Sequence, residues 1–300
     1  MNHSPKRRRL GKSISYHSMV LPLLILYSLF VIYPFLSTVF YSFTDYSSMN
    51  MFDFGFVGLK NYIAVFKTKS QMDAILHTIQ YAIILTVAQT IIALPLAVFL
   101  NTKLKSRNIL RSVFFFPAVL SPIVVGYLWS FLFSTSAYGP INNILKSMGL
   151  SSINFFGDPD IALYSIIITQ VWQWAGWSMV IILANLQSIE PTYYEAARID
   201  GAGPLQSFFR ITLPLLYPSI NVLIVTGLVG GLKVYDIIVS TTGGGPFNST
   251  STIIQSIINQ AIGGGRYSLG AAYSVIFFII VLIFTWFVML IMKRWEEAVK

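Results

Sequence analysis

Six runs of mostly apolar residues limit what this chain can fold into. They lie at roughly 18–42, 74–100, 112–134, 161–187, 214–240 and 271–292. A helix of about 20 residues crosses a hydrocarbon layer about 30 Å thick, so each run is long enough to span a bilayer. The alternative, burying all six inside a soluble globule, needs a charged coat that the chain lacks. Only 10% of its 300 residues are charged, against about a quarter in soluble domains. This excludes an ordinary cytosolic enzyme and predicts an all-α membrane protein with six transmembrane helices. The first run follows Lys6, Arg7, Arg8 and Arg9. Its apolar stretch from Met19 to Phe40 is too long for a signal-peptide core and has no small-residue cleavage site, which predicts a retained helix.

The net charge of +9 is informative through its location. Lys6, Arg7, Arg8, Arg9 and Lys12 precede the first span; Lys103, Lys105, Arg107 and Arg111 lie between the second and third; Arg198 and Arg210 lie between the fourth and fifth; Lys293, Arg294 and Lys300 follow the sixth. The loops of opposite side hold only Lys60, Lys67, Lys69, Lys146 and Arg266. Because cytoplasmic loops are enriched in Lys and Arg, this split predicts that the N- and C-termini are both cytoplasmic. Topology accounts for the Lys103–Arg111 cluster, so no nucleic-acid partner is expected. The expected domains are a basic cytoplasmic tail at 1–17, a transmembrane domain at 18–292 and a cytoplasmic tail at 293–300.

Catalytic machinery is sparse. There is no Cys, hence no disulfide, thiolate nucleophile or Cys-based metal site. The three His residues are His3, His17 and His77, and none has metal-ligand spacing or a place deep in the bundle. Gly176-Trp177-Ser178 has the pattern of a serine intramembrane protease, but no His follows to activate Ser178. Tyr235-Asp236 resembles half of an aspartyl-protease pair, and the second Gly-x-Gly-Asp is missing. The glycine runs 243–246 and 263–265 lack the Lys-Ser/Thr of a phosphate loop and read as flexible turns. No enzyme activity and no cofactor on this chain are expected. Prolines 22, 34, 95, 117 and 122 fall inside spans and predict kinks. Gln80, Gln89, Gln170, Gln173, Asn185 and Asn221 either join helix to helix or line a polar path.

The cytoplasmic segment 190–214 carries the most specific signal. Thr192 and Glu195 have capping-box spacing, which predicts a helix starting there. Gly201 suits the left-handed residue that closes a helix, and Gly203-Pro204 turns the chain into a second short helix. A short helix along the membrane surface, with Ala196 and Ala197 as a smooth face beside Glu195, Arg198 and Asp200, is shaped to seat in a partner's groove. The pattern Glu195-Ala196-Ala197, Gly201, Ile211, Leu213-Pro214 resembles the signature of the inner-membrane permease subunits of binding-protein-dependent ABC importers. Agreement at seven positions by chance is on the order of 10⁻⁸ per start position. Segments 56–62, 116–117, 139–142, 183–187, 233–236 and 242–246 are similar to the carbohydrate-uptake branch, the maltose and glycerol-phosphate type.

The resemblance implies a bacterial or archaeal inner-membrane protein working with an ABC ATPase dimer, a second permease subunit of different sequence, an external solute-binding protein and a sugar or sugar-like substrate. ATP would bind the partner ATPases. It assigns ATPase coupling to Glu195, Ala196, Ala197, Gly201, Ile211, Leu213 and Pro214. Lys233 and Asp236 are the ionisable residues well inside a predicted span. At i and i+3 they can form an ion pair or snorkel to the outer surface, or, with Tyr235, they belong to the substrate pathway or its gate. An ion-gradient-driven secondary transporter is the alternative class, with Asp236 as its one membrane-embedded carboxylate.

Overall fold

A computed structural model describes residues 20–102 and 104–299. The tail 1–17 with His3 and His17, and Lys103 and Lys300, lie outside the described residues. The described residues form helices joined by turns and loops, and among them no strand forms beyond one isolated bridge between Thr44 and Phe56.

Four helices are each long and apolar enough to cross a bilayer: α1 (Val20–Tyr41), α3 (Lys69–Leu100), α7 (Ala162–Ser188) and α13 (Tyr267–Val299). Two bent pairs raise the number to six if each is one span. They are α4 (Arg107–Val119) with α5 (Pro122–Leu132), and α9 (Pro204–Leu215) with α10 (Tyr217–Leu232). The remaining helices are α2 (Lys60–Lys67), α6 (Pro140–Ser147), α8 (Pro191–Ile199), α11 (Asp236–Thr241) and α12 (Ile253–Ile258).

The third run, expected as one kinked helix over 112–134, is instead broken by 100° at Leu120–Ser121. Pro117 ends the α-helical pattern in a 3₁₀ turn, and Pro122 holds Ser121 extended before starting a new helix. The fifth run, expected over 214–240, bends by 60° at Leu216 and ends at Leu232. Gly227, Gly230 and Gly231 fall within its last six residues, each weakening the helix by about 1 kcal/mol relative to Ala. The sixth helix runs past 292 to Val299. Pro95 leaves α3 continuous.

The chain divides into two compact units, 1–65 with 257–276, and 66–256 with 277–300. In the first, Asn61 Nδ2 donates to the carbonyls of Ser42 (2.9 Å) and Thr44 (2.7 Å), and the Tyr62 and Ser42 hydroxyls pair at 2.6 Å. Thr44 reaches Ser268 across 3.0 Å, and the Tyr46 ring stacks on Tyr41. The Gly58–Tyr62 portion of the carbohydrate-branch resemblance thus ties the chain after α1.

In the second unit α7 is the axis. Leu163, Ile166, Ile167 and Val171 enter one apolar cluster with Tyr81, Leu85 and Ile237. Met179, Ile182, Leu183 and Leu186 enter another with Ala93, Ala97 and Leu216. Between them α7 carries Gln170, Gln173 and Ser178, all buried. Lipid tails are as apolar as Leu, so helices associate through close backbone approach and polar contacts. Gly227 and Gly231, one turn apart, let α10 settle on Thr86 and Ala82 of α3. A Cβ on Gly231 would stand 2.7 Å from Ala82 Cα. Gly176 is tighter: its Cβ would meet the Phe114 carbonyl oxygen at 1.8 Å.

Outside the spans, Asn142 explains the Gly139–Asn142 similarity. Its Nδ2 donates to the carbonyls of Phe133, Ser134 and Ile153 at 3.0–3.1 Å, and its Oδ1 accepts from Ile153 N–H at 2.8 Å. Gly176→Val should destabilise the protein by about 3 kcal/mol, because backbone faces backbone and neither yields cheaply. Gly203→Ala, with nothing within 4 Å of its Cβ position, should be near neutral. Thermal melting of both variants in detergent checks the contrast.

Candidate functional site

A cavity of about 300 Å³ opens beside the polar belt of α7. Gln89 of α3, Gln170, Trp174 and Trp177 of α7, and Lys233, Tyr235 and Asp236 after α10 all line it. The three residues singled out inside the fifth predicted span are therefore brought together on one wall. They do not share a helix, which corrects the expected i, i+3 geometry. α10 ends at Leu232, Lys233 caps it, Tyr235 leaves helical geometry (φ −147°, ψ −60°), and α11 begins at Asp236. Among the described residues no ion pair joins Lys233 to Asp236. Each charge instead sits where the backbone favours it, the cation at a helix C-terminus and the carboxylate in a first turn. Both remain exposed to the cavity side.

The amides do both things expected of them as alternatives. Trp174 Nε1–H donates to Gln170 Oε1 (3.2 Å), Gln170 Nε2 to Gln173 Oε1 (2.6 Å), and Gln173 Nε2 to the Leu120 carbonyl at the α4–α5 break (2.8 Å). Gln89 Nε2 donates to Ser178 Oγ and, at 3.4 Å, to the Trp174 carbonyl. Ser178 is thus a buried packing and acceptor group. Asn185 Nδ2 reaches Ser219 Oγ (3.0 Å) and the Leu215 carbonyl (3.4 Å) at the α9–α10 bend. Gln89 joins α3 to α7 and also lines the cavity, whereas Gln170 lines the cavity with its printed bonds inside α7. Sequence reading missed Trp174, Trp177 and Tyr81. The signal was present: Gln170, Gln173, Trp174 and Trp177 recur at helical spacing on one face of an otherwise apolar run. Tyr81 is fully buried, lines the cavity, and its hydroxyl has no protein partner among the described residues.

The second element of interest is α8. Its start differs from the capping-box expectation. Glu190 is the N-cap, without a side-chain cap, and Pro191 occupies the first helical position. A proline there is pre-set at helical φ and has no N–H to lose, so it outcompetes Thr192 as the start. The end is as read. Gly201 has φ +78°, Gly201 N–H donates to the Arg198 carbonyl (3.1 Å) and Ala202 N–H to the Ala197 carbonyl (2.8 Å). This paired closure fixes the exit direction of the chain. Gly203 and Pro204 then start α9, and the Tyr194 and Thr212 hydroxyls pair at 3.0 Å to hold α8 against it.

Glu195, Ala196 and Gly201 are exposed and Ala197 half-buried. Ile211, Leu213 and Pro214 are half-buried, with Leu213 packed on the apolar cluster of Met179 and Leu216. The signature thus has a presented half and an anchoring half. Two apolar side chains beside the turn, Ile199 (87% exposed) and Leu205 (75%), were not singled out from sequence.

Residues 89–299 match the family described as the binding-protein-dependent transport system inner membrane component. The chain belongs to that family, and is a multi-pass inner-membrane permease subunit, not an enzyme. It is similar to the trehalose/maltose transport system permease protein MalF of Thermococcus litoralis, 35% identical over 89% of this chain and 90% of that protein. It is also similar to the sn-glycerol-3-phosphate permease UgpA of Salmonella choleraesuis, 31% identical over 89% and 90% of the two chains. Its structure resembles a chain of a bacterial ABC transporter that imports the acidic polysaccharide alginate, with a TM-score of 0.82, 25% identity and coverage of 95% and 99%. Membership in this family displaces the ion-gradient alternative.

Gln173→Leu should lower stability by about 1–3 kcal/mol, because the Leu120 carbonyl is left without its donor. Thermal unfolding of the purified variant in detergent measures this.

Proposed function

We propose that this chain is one half of the pore of an ATP-driven importer that takes up a sugar or sugar-like solute delivered by an external binding protein. The reading comprises six spans, both termini in the cytoplasm, a transmembrane domain at 18–292 and a coupling segment at 190–214 that docks on an ATPase subunit. The second half of the pore is read as a different permease chain. One observation carries it: α8 has no buried residue, yet its end is fixed by the Gly201 closure and by Tyr194–Thr212. A rigid, unburied helix with Ala196, Ile199 and Gly201 on its surface is built to be covered by a partner and to transmit that partner's motion.

The transmission path is short. α8 connects through α9 to the 60° bend, and α10 runs from the bend for 16 residues, about 24 Å, to the break at Lys233–Tyr235. Closure of the ATPases on ATP would shift α8 and α9 as a body and tilt α10. The cavity chemistry supports a sugar. Indole faces of Trp174 and Trp177 offer apolar surface to the C–H faces of a ring, and Gln89, Gln170 and Lys233 offer polar groups to hydroxyls. The relative named for trehalose/maltose points the same way.

Tagging the chain and extracting it gently should co-purify an ATPase; transport by this chain alone on a proton gradient would defeat the reading. Gly201→Val forces a β-branched residue into left-handed backbone. It should lower uptake on the order of tenfold while ATP hydrolysis persists, and normal sugar accumulation at normal expression would remove Gly201 from coupling. Trp174→Ala should raise the uptake KM about fivefold, from the loss of one aromatic contact. Unchanged kinetics in Asp236→Asn would take that carboxylate out of the pathway.

A further inference from the structure

A second cavity, of about 660 Å³, lies on another face of α7, between that helix, α3 and α4. Its α3 wall is a stripe from Ile84 through Ala88 to Leu96, about 18 Å long. Val171 and Ala175 of α7 are buried in its floor, and Ile168 is exposed at its rim. The Tyr164 hydroxyl at one end accepts from Gln80 Nε2 (2.8 Å). The other lining side chains are aliphatic or aromatic, so neither water nor a sugar finds the several partners it needs there. The groove is a place for hydrocarbon. Spread over its length, the volume gives a mean section of about 37 Å², under half that of a helix about 10 Å across. An acyl chain fits where a helix of a neighbouring subunit does not. A length of about 18 Å, slightly more than half of a hydrocarbon layer of about 30 Å, is the reach of one leaflet.

The opposite end of the groove is cationic. Val113 lines that end on α4, and Arg111 precedes it by two residues. Arg111 Nη2 donates to the Leu100 carbonyl (3.2 Å), one turn beyond Leu96 on α3, so the guanidinium is held at the lip of the groove. Its Nε is buried and has no partner among the described residues, a cost that a bound anion would relieve. Arg107 stands one turn earlier on α4, and Lys105 precedes that helix. Like charges at i and i+4 repel, and no acidic residue occurs between Asp73 and Asp158 to offset them. Guanidinium–phosphate pairs are among the strong hydrogen-bonded contacts, and basic sites beside membrane helices take anionic headgroups.

We propose that the groove between α3, α4 and α7 holds an acyl chain of an anionic phospholipid whose phosphate meets Arg111 and Arg107. The length and section of the groove select the chain, and the cations at its lip select the headgroup. Native mass spectrometry of the complete importer in detergent, with palmitoyl-oleoyl phosphatidylglycerol added, should show one such lipid retained per copy of this chain. Phosphatidylcholine should displace it only at about tenfold excess. Arg111→Gln should abolish that preference and Arg111→Lys should keep it. Ala88→Phe, which fills the groove, and Ile168→Trp on its exposed rim should each weaken both lipids about tenfold. The natural chain has no Cys, so a benzophenone maleimide can be placed on Ile168→Cys, and illumination in vesicles of the two lipids should give a phospholipid adduct. Equal retention of the two lipids, or a preference unchanged in Arg111→Gln, overturns the headgroup site. Retention unchanged in both Ala88→Phe and Ile168→Trp, or cross-linking from position 168 to the second permease, overturns the acyl chain as the occupant.

Discussion

Backbone carbonyls freed inside a lipid layer have no water to turn to, and the second unit is organised around this constraint. Two of its candidate spans are broken. The carbonyl of Leu120 at the 100° break is taken by Gln173, and that of Leu215 at the 60° bend by Asn185. Both donors belong to α7, the most buried of the four long spans. Ser219 adds a local bond from its hydroxyl to the Leu216 carbonyl at 2.8 Å. A rigid central helix thus supplies the amides that make broken neighbours tolerable. Each such bond is worth only about 1 kcal/mol in net terms, but leaving the carbonyl bare costs more.

The breaks in turn create the cavity. A bundle of straight helices packed at close distance would leave no room beside Gln89 and Trp174. Interrupting α10 at Lys233–Tyr235 and turning α5 away from α4 open space at the level where α7 is polar. The glycines perform a complementary task. Gly176 lets α7 touch the backbone of α4, and Gly227 with Gly231 lets α10 touch α3. Close packing above and below the belt, by two separate apolar clusters, leaves the middle free for Gln170, Trp174 and Tyr81.

Much of this was legible in the sequence. The apolar runs placed the long helices to within a few residues, with α3 and α7 extending only slightly beyond or inside the expected limits. Gly201 was read as a left-handed closure because glycine, without a Cβ, takes positive φ at no steric cost. The misreadings also have physical causes. Pro191 displaced Thr192 as the start of α8 because a first-position proline costs the helix nothing. Lys233 and Asp236 appeared to share a helix because hydropathy is blind to a glycine-weakened end. The Gly243–Pro246 run suggested flexibility, since composition cannot reveal that Thr250 and Gln255 return to bond its carbonyls.

By itself, the sequence determined the medium, the number of apolar runs, the asymmetry of positive charge and the presence of the Glu195–Pro214 family signature. These are properties of local composition and short spacing, and they need no partner from elsewhere in the chain. Tertiary structure decided which amide meets which orphaned carbonyl, which glycines lie at crossings, and which side chains face the cavity. Those outcomes depend on residues such as Gln173 and Leu120, or Thr252 and Val234. They lie far apart along the chain and meet only when the helices pack.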